Sequence, residues 1–284
     1  MSIDVGGRNR IHKGKEIIIQ ARSLLAAQRA ANLVHSAILL LSAGLAIGEE
    51  HEVFPARSLE HESRDEETQK LLRNNILSKS NIPRACMIAA KASFRREYSY
   101  ALAKLRLSYE MCSTPTVELD PHYSALIPKS PYAEHHVRFA YGVILAYSVI
   151  EEIGMEIRAS QSRPSTINGK WNPVVKGELE QRLRQAGVNL DEPFLWSVRG
   201  SATRLERSRP ARKISKVPWS RYDVRDGMVE LADAIAHVSW LRSKVAAHRM
   251  QENMVSILSV YDVANAQFLA RRLLLERMGF WQFP

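Results

Sequence analysis

Cysteine is nearly absent from this chain of 284 residues: only Cys86 and Cys112 occur, at no paired metal or redox spacing. That excludes a disulfide-stapled fold and predicts two reduced thiols in a cytosolic protein. The phosphate-cradling GxxxxGK[ST] and GxGxxG loops, the zinc-binding HExxH and the GxSxG nucleophile turn are missing as well. Nucleotide-dependent, metal-hydrolase and serine-hydrolase chemistries therefore lack their usual residues. His135 and His136 are adjacent, which points them to different sides of a helix and makes a poor metal pair. Neither a metal nor a cofactor is expected. Long hydrophobic runs are also lacking: the best, Ala37–Ile47 and Phe139–Ile150, fall short of the roughly 20 residues that span a bilayer. The start, MSIDVGGRNRIHKGKEIII, has no apolar stretch leading to a small-residue cleavage site. A cytoplasmic protein with no membrane partner is the expectation.

What is present is ordinary globular material, 45% hydrophobic and 25% charged, with an excess of 40 Lys+Arg over 30 Asp+Glu. The resulting net charge of +10 and pI near 9.7 favour a polyanionic partner, nucleic acid first and an anionic membrane surface second. Alternation at period two never lasts more than a few residues, so an all-α helical bundle is predicted, with at most two or three short strands in any sheet. Ala/Leu/Ile-rich helices are expected over Lys15–Leu45, about Ala133–Ala159, Arg225–His248 and Val263–Met278, with shorter ones over Glu66–Leu77 and Glu178–Ala186. The segment Arg84–Cys112 follows Pro83, which suits a first helical turn. Four prolines in Ser113–Pro131 mark the best boundary. It divides an N-terminal helical region, 1–115, from a C-terminal bundle, 132–284, that carries a basic insertion at about 191–225.

The residues with the most chemical promise lie in WLRSKVAAHRM, where Arg242 precedes His248 with five residues between. This spacing resembles the R-x(4–6)-H motif of the HEPN superfamily, small helical bundles that include many RNA-cleaving toxins and defence effectors. The surroundings are similar too: an apolar helix follows (VANAQFLARRLLLERMGFW), and another, AYSVIEEIGMEIRAS, lies upstream. The resemblance covers roughly Ala133–Phe283 and implies a helical-bundle ribonuclease with Arg242 and His248 as catalytic residues. It departs from many active members at Ser243, where Asn, Asp or His follows the arginine, and from some toxins at Met250, where tyrosine stands.

The chemistry suits those two residue types. In metal-free RNA cleavage the substrate's 2′-OH attacks the adjacent phosphorus. That step needs a proton carrier with a pKa near neutrality, which histidine supplies, and positive charge beside the phosphorane, which a guanidinium supplies. One Arg and one His are too few for both proton transfers, so a homodimer with a composite site is expected. On a straight α-helix, positions six apart lie about 120° apart around the axis and about 9 Å along it. Arg242 then falls, with Arg249, on the apolar stripe Met228, Leu231, Ile235, Val238 and Val245. A charge on such a stripe needs a partner. Glu151, which interrupts the stripe Val137, Ala140, Ile144, Tyr147 and Met155, is the expected one. His248 falls on a polar stripe with Asp233, His237 and Lys244, expected to face a cleft or a partner. Arg242, His248, Glu151, Ser243 and Lys244 thus make up the expected site.

A second constellation is Arg199–Arg225, with nine basic residues against Glu206 and Asp223, a local net of +7. Arg207, Arg209, Arg212 and Lys213, with Arg249, are the expected RNA contacts. Trp196, Trp219 and Tyr222 offer faces on which unpaired bases could stack. The leading functional expectation is a metal-independent endoribonuclease, a toxin or antiviral effector, with RNA, a second protomer and a regulatory protein as partners. The alternatives are a catalytically inert RNA- or nucleotide-binding member of the same fold, and a helical adaptor docking on an acidic protein.

Overall fold

The computed structural model describes residues 2–4, 18–20, 22–42, 46–47, 53–54, 81–112, 133–168, 170–199, 224–246, 258 and 260–281. Among them are seven α-helices: α1 (Leu24–Leu41), α2 (Asn81–Ser93), α3 (Arg96–Met111), α4 (Ala133–Glu152), α5 (Pro173–Gln185), α6 (Leu231–Leu241) and α7 (Val260–Arg277). A single π-helical turn, Arg242–Ala246, continues α6. Among the described residues, strands occur only as four two-stranded antiparallel ribbons: β1 (Ser2–Asp4) with β2 (Ile18–Gln20), β3 (Ala46–Ile47) with β4 (Val53–Phe54), β5 (Thr166–Ile167) with β6 (Lys170–Trp171), and β7 (Phe194–Arg199) with β8 (Val224–Val229). The protein is an all-α bundle with small β ornaments.

The middle of the bundle is α4, packed on α3 along one side and on α7 along another. Gly142 lets α7 come close, because a Cβ there would lie 2.8 Å from Val263 Cγ1. Ile150, Leu269, Leu273 and Leu274 are fully buried around this contact, each worth about 1.5–3 kcal/mol of apolar burial. The same core includes Leu40, Ile88, Leu102 and Leu105 from the N-terminal half. Helices on both sides of the expected boundary thus share one core, and the boundary segment 113–131 itself lies outside the described residues. By length and composition α1 is long and apolar enough to cross a membrane, with a mean hydropathy of 1.4. It packs on α2 and α3, with Ala37 and Leu40 buried.

Several helix ends differ from expectation. The first helix begins at Leu24, not Lys15: Ser23 caps it by accepting from the Ala26 N–H, and the β-branched Ile18 and Ile19 ahead of it sit in β2. Arg84–Cys112 is broken at Phe94 and Arg95, where Arg95 is extended; Ser93 and Ser99 turn their hydroxyls onto the carbonyls of Ala90 and Ala92. The helix expected to reach Ala159 stops at Glu152. Gly154 adopts φ +74°, and the N–H groups of Gly154 and Met155 bond back to the carbonyls of Glu151 and Ile150. The helix expected from Glu178 starts at Pro173, with Asn172 accepting from the Val174 N–H. The last helix begins at Val260, three residues early. The expected helix Glu66–Leu77 lies outside the described residues.

Candidate functional site

The helix expected over Arg225–His248 divides three ways. Residues 224–229 form β8, α6 occupies Leu231–Leu241, and from Arg242 the turn widens to the i→i+5 pattern. Ser243 contributes to the change, since its Oγ bonds back to the Ser239 carbonyl at 2.8 Å, a contact that bends helices. A straight α-helix from Arg242 to His248 is therefore not the right geometry. His248 and Arg249 lie outside the described residues, and of Lys244 only the backbone, in the π turn, is described.

Arg242 stands at the junction of the two helical forms. Its Nη2 lies 3.5 Å from Oε1 of Glu151, and its guanidinium sits 5.9 Å from the centre of the Tyr147 ring. Tyr147 and Glu151 are one turn apart on α4, so both reach the same neighbour. The two charged side chains are 42% and 35% exposed, more open than a place on an apolar stripe implied. Tyr147 is buried; burial pushes its phenol pKa up, while hydrogen bonds with Ser239 and the backbone of Ile157 pull it the other way. Arg242 thus has a fixed aromatic floor, a carboxylate on one edge and donors still facing solvent. A half-exposed guanidinium in this setting can receive a phosphate oxygen.

The expected polar stripe on α6 does not face a cleft. Asp233 and His237 are 2% and 6% exposed. Trp171 Nε1 donates to Asp233 Oδ1 at 2.7 Å, and His237 Nε2 lies 4.0 Å from Asp262 Oδ1. The His237 imidazole meets Trp196 edge-on at 4.9 Å and stacks on Trp240 at 6.0 Å. Its Nδ1 is buried with no hydrogen-bond partner among the described residues. These groups pin β6, β7 and α7 to α6. Periodicity within α6 cannot show this, because the covering residues come from distant parts of the chain.

Trp196 is also reassigned: it is 1% exposed and packs on Phe194 and His237, so it offers no face to a base. Trp219, Tyr222, Arg207, Arg209, Arg212 and Lys213 lie outside the described residues. What the structure does give is the frame of the basic segment. Arg199 pairs with Val224 across β7 and β8, so residues 200–223 leave and re-enter at the tip of one ribbon. That ribbon's second strand leads directly into α6 and Arg242.

Positive charge elsewhere has a different role. Arg271 donates to the carbonyls of Leu40 and Leu41 at the end of α1, and Arg182 to those of Gly154 and Glu156 after α4. Lys91 and Arg84 donate to the carbonyls of Met278 and Phe280 after α7. Arg272, 2% exposed, gathers the carbonyls of Asn189, Glu192 and Pro193 and pairs with Glu276. Each satisfies carbonyls that a helix end or turn leaves orphaned. Their structural role was not expected, although Arg271 and Arg272 inside FLARRLLLERM stand as charges in an apolar helix. Among the described residues no three His, Cys, Asp or Glu side chains are placed to hold a metal. Cys86 and Cys112 are unpaired, and burial pushes the Cys112 thiol up to about 12.

No family model, no curated protein and no solved structure matches the chain.

Proposed function

We propose that this chain is a metal-independent endoribonuclease of the HEPN type, a toxin or defence effector, in which Arg242 steadies the reacting phosphate and His248 carries the proton. The observation that supports it best is the setting of Arg242: a half-exposed guanidinium held between Tyr147 and Glu151. It lies one helix beyond a ribbon whose tip carries the basic segment. In this reading the 2′-OH attacks phosphorus and the 5′ oxygen leaves. Arg242 offsets the charge gathering on the non-bridging oxygens. Arg207, Arg209, Arg212 and Lys213 hold the RNA strand by its phosphates. Two protomers together supply the two histidines that attack and departure require. A homodimer with a shared site is therefore part of the proposal.

The test is cleavage of total RNA by the purified chain in EDTA, beside His248→Ala. Activity in EDTA that disappears in His248→Ala and leaves 2′,3′-cyclic phosphate ends is the expected result. Activity unchanged in His248→Ala overturns the mechanism. Mixing Arg242→Ala with His248→Ala protomers should restore a fraction of activity, and no recovery removes the shared site.

One observation favours a second reading, an inert RNA-binding member of the same fold. Ser243, which follows the motif arginine, has its hydroxyl turned back onto Ser239 rather than towards solvent. Salt-dependent RNA binding without cleavage by the unaltered protein selects that reading.

A further inference from the structure

One end of the bundle combines exposed apolar side chains with unbalanced positive charge. Its location follows from Arg271. That residue bonds to Leu40 and Leu41 at the end of α1 and interacts electrostatically with Tyr109 near the end of α3 and Arg84 near the start of α2. Those three helix ends therefore lie together, and α1 runs parallel to α3 and antiparallel to α2. The opposite end gathers the first turn of α1 and the α2–α3 corner. Leu24 and Leu25 are 55% and 57% exposed there, and Phe94, at the tip of the corner, is 87% exposed. Met87, in the middle of α2, is 60% exposed. Leaving this much apolar surface in water costs free energy unless something covers it.

Basic side chains outnumber acidic ones at this end. Arg22, Arg95 and Arg96 are exposed, while α1 and α2 contain no Asp or Glu. The acidic groups beside them are Glu97, which pairs with Arg95 at 3.5 Å, and Glu152 at the end of α4, which acts on Arg96 from further off. Arg96 sits over the Tyr100 ring, 5.1 Å from its centre, and donates to the hydroxyl at 3.2 Å. That contact covers one face of Tyr100, and Tyr98 in the same turn is buried beneath Arg95. Bases need open π faces, and of the exposed apolar side chains here Phe94 alone has one, whereas two leucines and a methionine have none to offer. Aliphatic groups and an aromatic tip rimmed by arginines match a headgroup boundary, where side chains enter the acyl region and guanidiniums meet lipid phosphates. Exposure does not show in a hydropathy profile, so no membrane partner is expected from sequence.

We propose that this end, built from Leu24, Leu25, Phe94, Arg22, Arg95 and Arg96, docks on an anionic lipid surface without spanning it. The test is co-sedimentation of the full chain with vesicles of phosphatidylcholine alone or mixed with phosphatidylserine. Binding should require phosphatidylserine and weaken as salt rises. Phe94→Glu should reduce it about tenfold or more, and Arg95→Ala with Arg96→Ala roughly fivefold per arginine, whereas Phe94→Trp should retain it. Because these side chains are exposed, thermal melts of the variants should match the unaltered protein. No binding to either vesicle, or binding indifferent to Phe94→Glu and to the arginine pair, overturns the proposal. So does loss of single-stranded RNA affinity in Phe94→Glu by a protein that never binds vesicles.

Discussion

Arg272 and Arg242 both contact glutamate, yet their surroundings assign them opposite work. Arg272 is buried in α7, with its donors distributed over three carbonyls, Glu192 and Glu276. Glu276 is itself almost fully enclosed, and burial raises its pKa against the pull of Arg272. Arg242 has one carboxylate at 3.5 Å, one ring beneath it and open water beside it. The first guanidinium is saturated by the fold and the second keeps donors for something else. Net charge alone therefore overstates what a basic protein offers its partners. Part of the +10 in this chain ties helix ends together, and only the remainder can meet a polyanion.

The contrast can be broken by substitution, starting where the largest effect is expected. Arg272→Ala should cost about 3–5 kcal/mol in denaturant unfolding, because it strands a buried carboxylate and several carbonyls. A loss under about 1 kcal/mol would mean that these contacts are incidental. Arg271→Ala leaves the end of α1 uncapped and should cost about 1.5–3 kcal/mol. Hydrogen exchange should show the loss concentrated near Leu40 and Leu41. Glu151→Gln should change stability by no more than about 1 kcal/mol, since both partners are partly exposed and solvent screens the pair. It should nonetheless reduce RNA cleavage by loosening Arg242.

The smallest effect concerns His136, which is buried and has Nδ1 unpartnered among the described residues. Burial lowers its pKa from 6.5. The unfolded chain therefore binds the proton more readily, and stability falls as pH drops through and below 6.5. His136→Phe should flatten that decline between pH 7 and 5, measured by melting temperature, while an unchanged slope would assign it to other groups.

Much of the fold was legible because Ala, Leu and Ile fill long segments without alternation, which fits α1, α4, α6 and α7. Helix ends were less legible where a local signal competed with the apolar pattern, as at Ser23, Gly154 and the Asn172–Pro173 pair. The candidate site divides in the same way. That Arg242 and Glu151 could meet was readable from two stripes, each interrupted by a charge of opposite sign. The Tyr147 floor was not, because it depends on how α4 and α6 cross, and nor was the π turn, where Ser243 bonds back to Ser239. The burial of Asp233, His237 and Trp196 was hidden for a similar reason. In each case a covering group is supplied from far along the chain: Trp171 for Asp233, Asp262 for His237 and His237 for Trp196.

The most direct measurement compares Arg242→Ala with the unaltered chain in one preparation, by denaturant unfolding and by RNA cleavage in EDTA. Unfolding free energy should change by no more than about 1 kcal/mol while the cleavage rate drops about 10²–10³-fold. Cleavage that survives Arg242→Ala, or a stability loss as large as that of Arg272→Ala, would contradict the role given to Arg242.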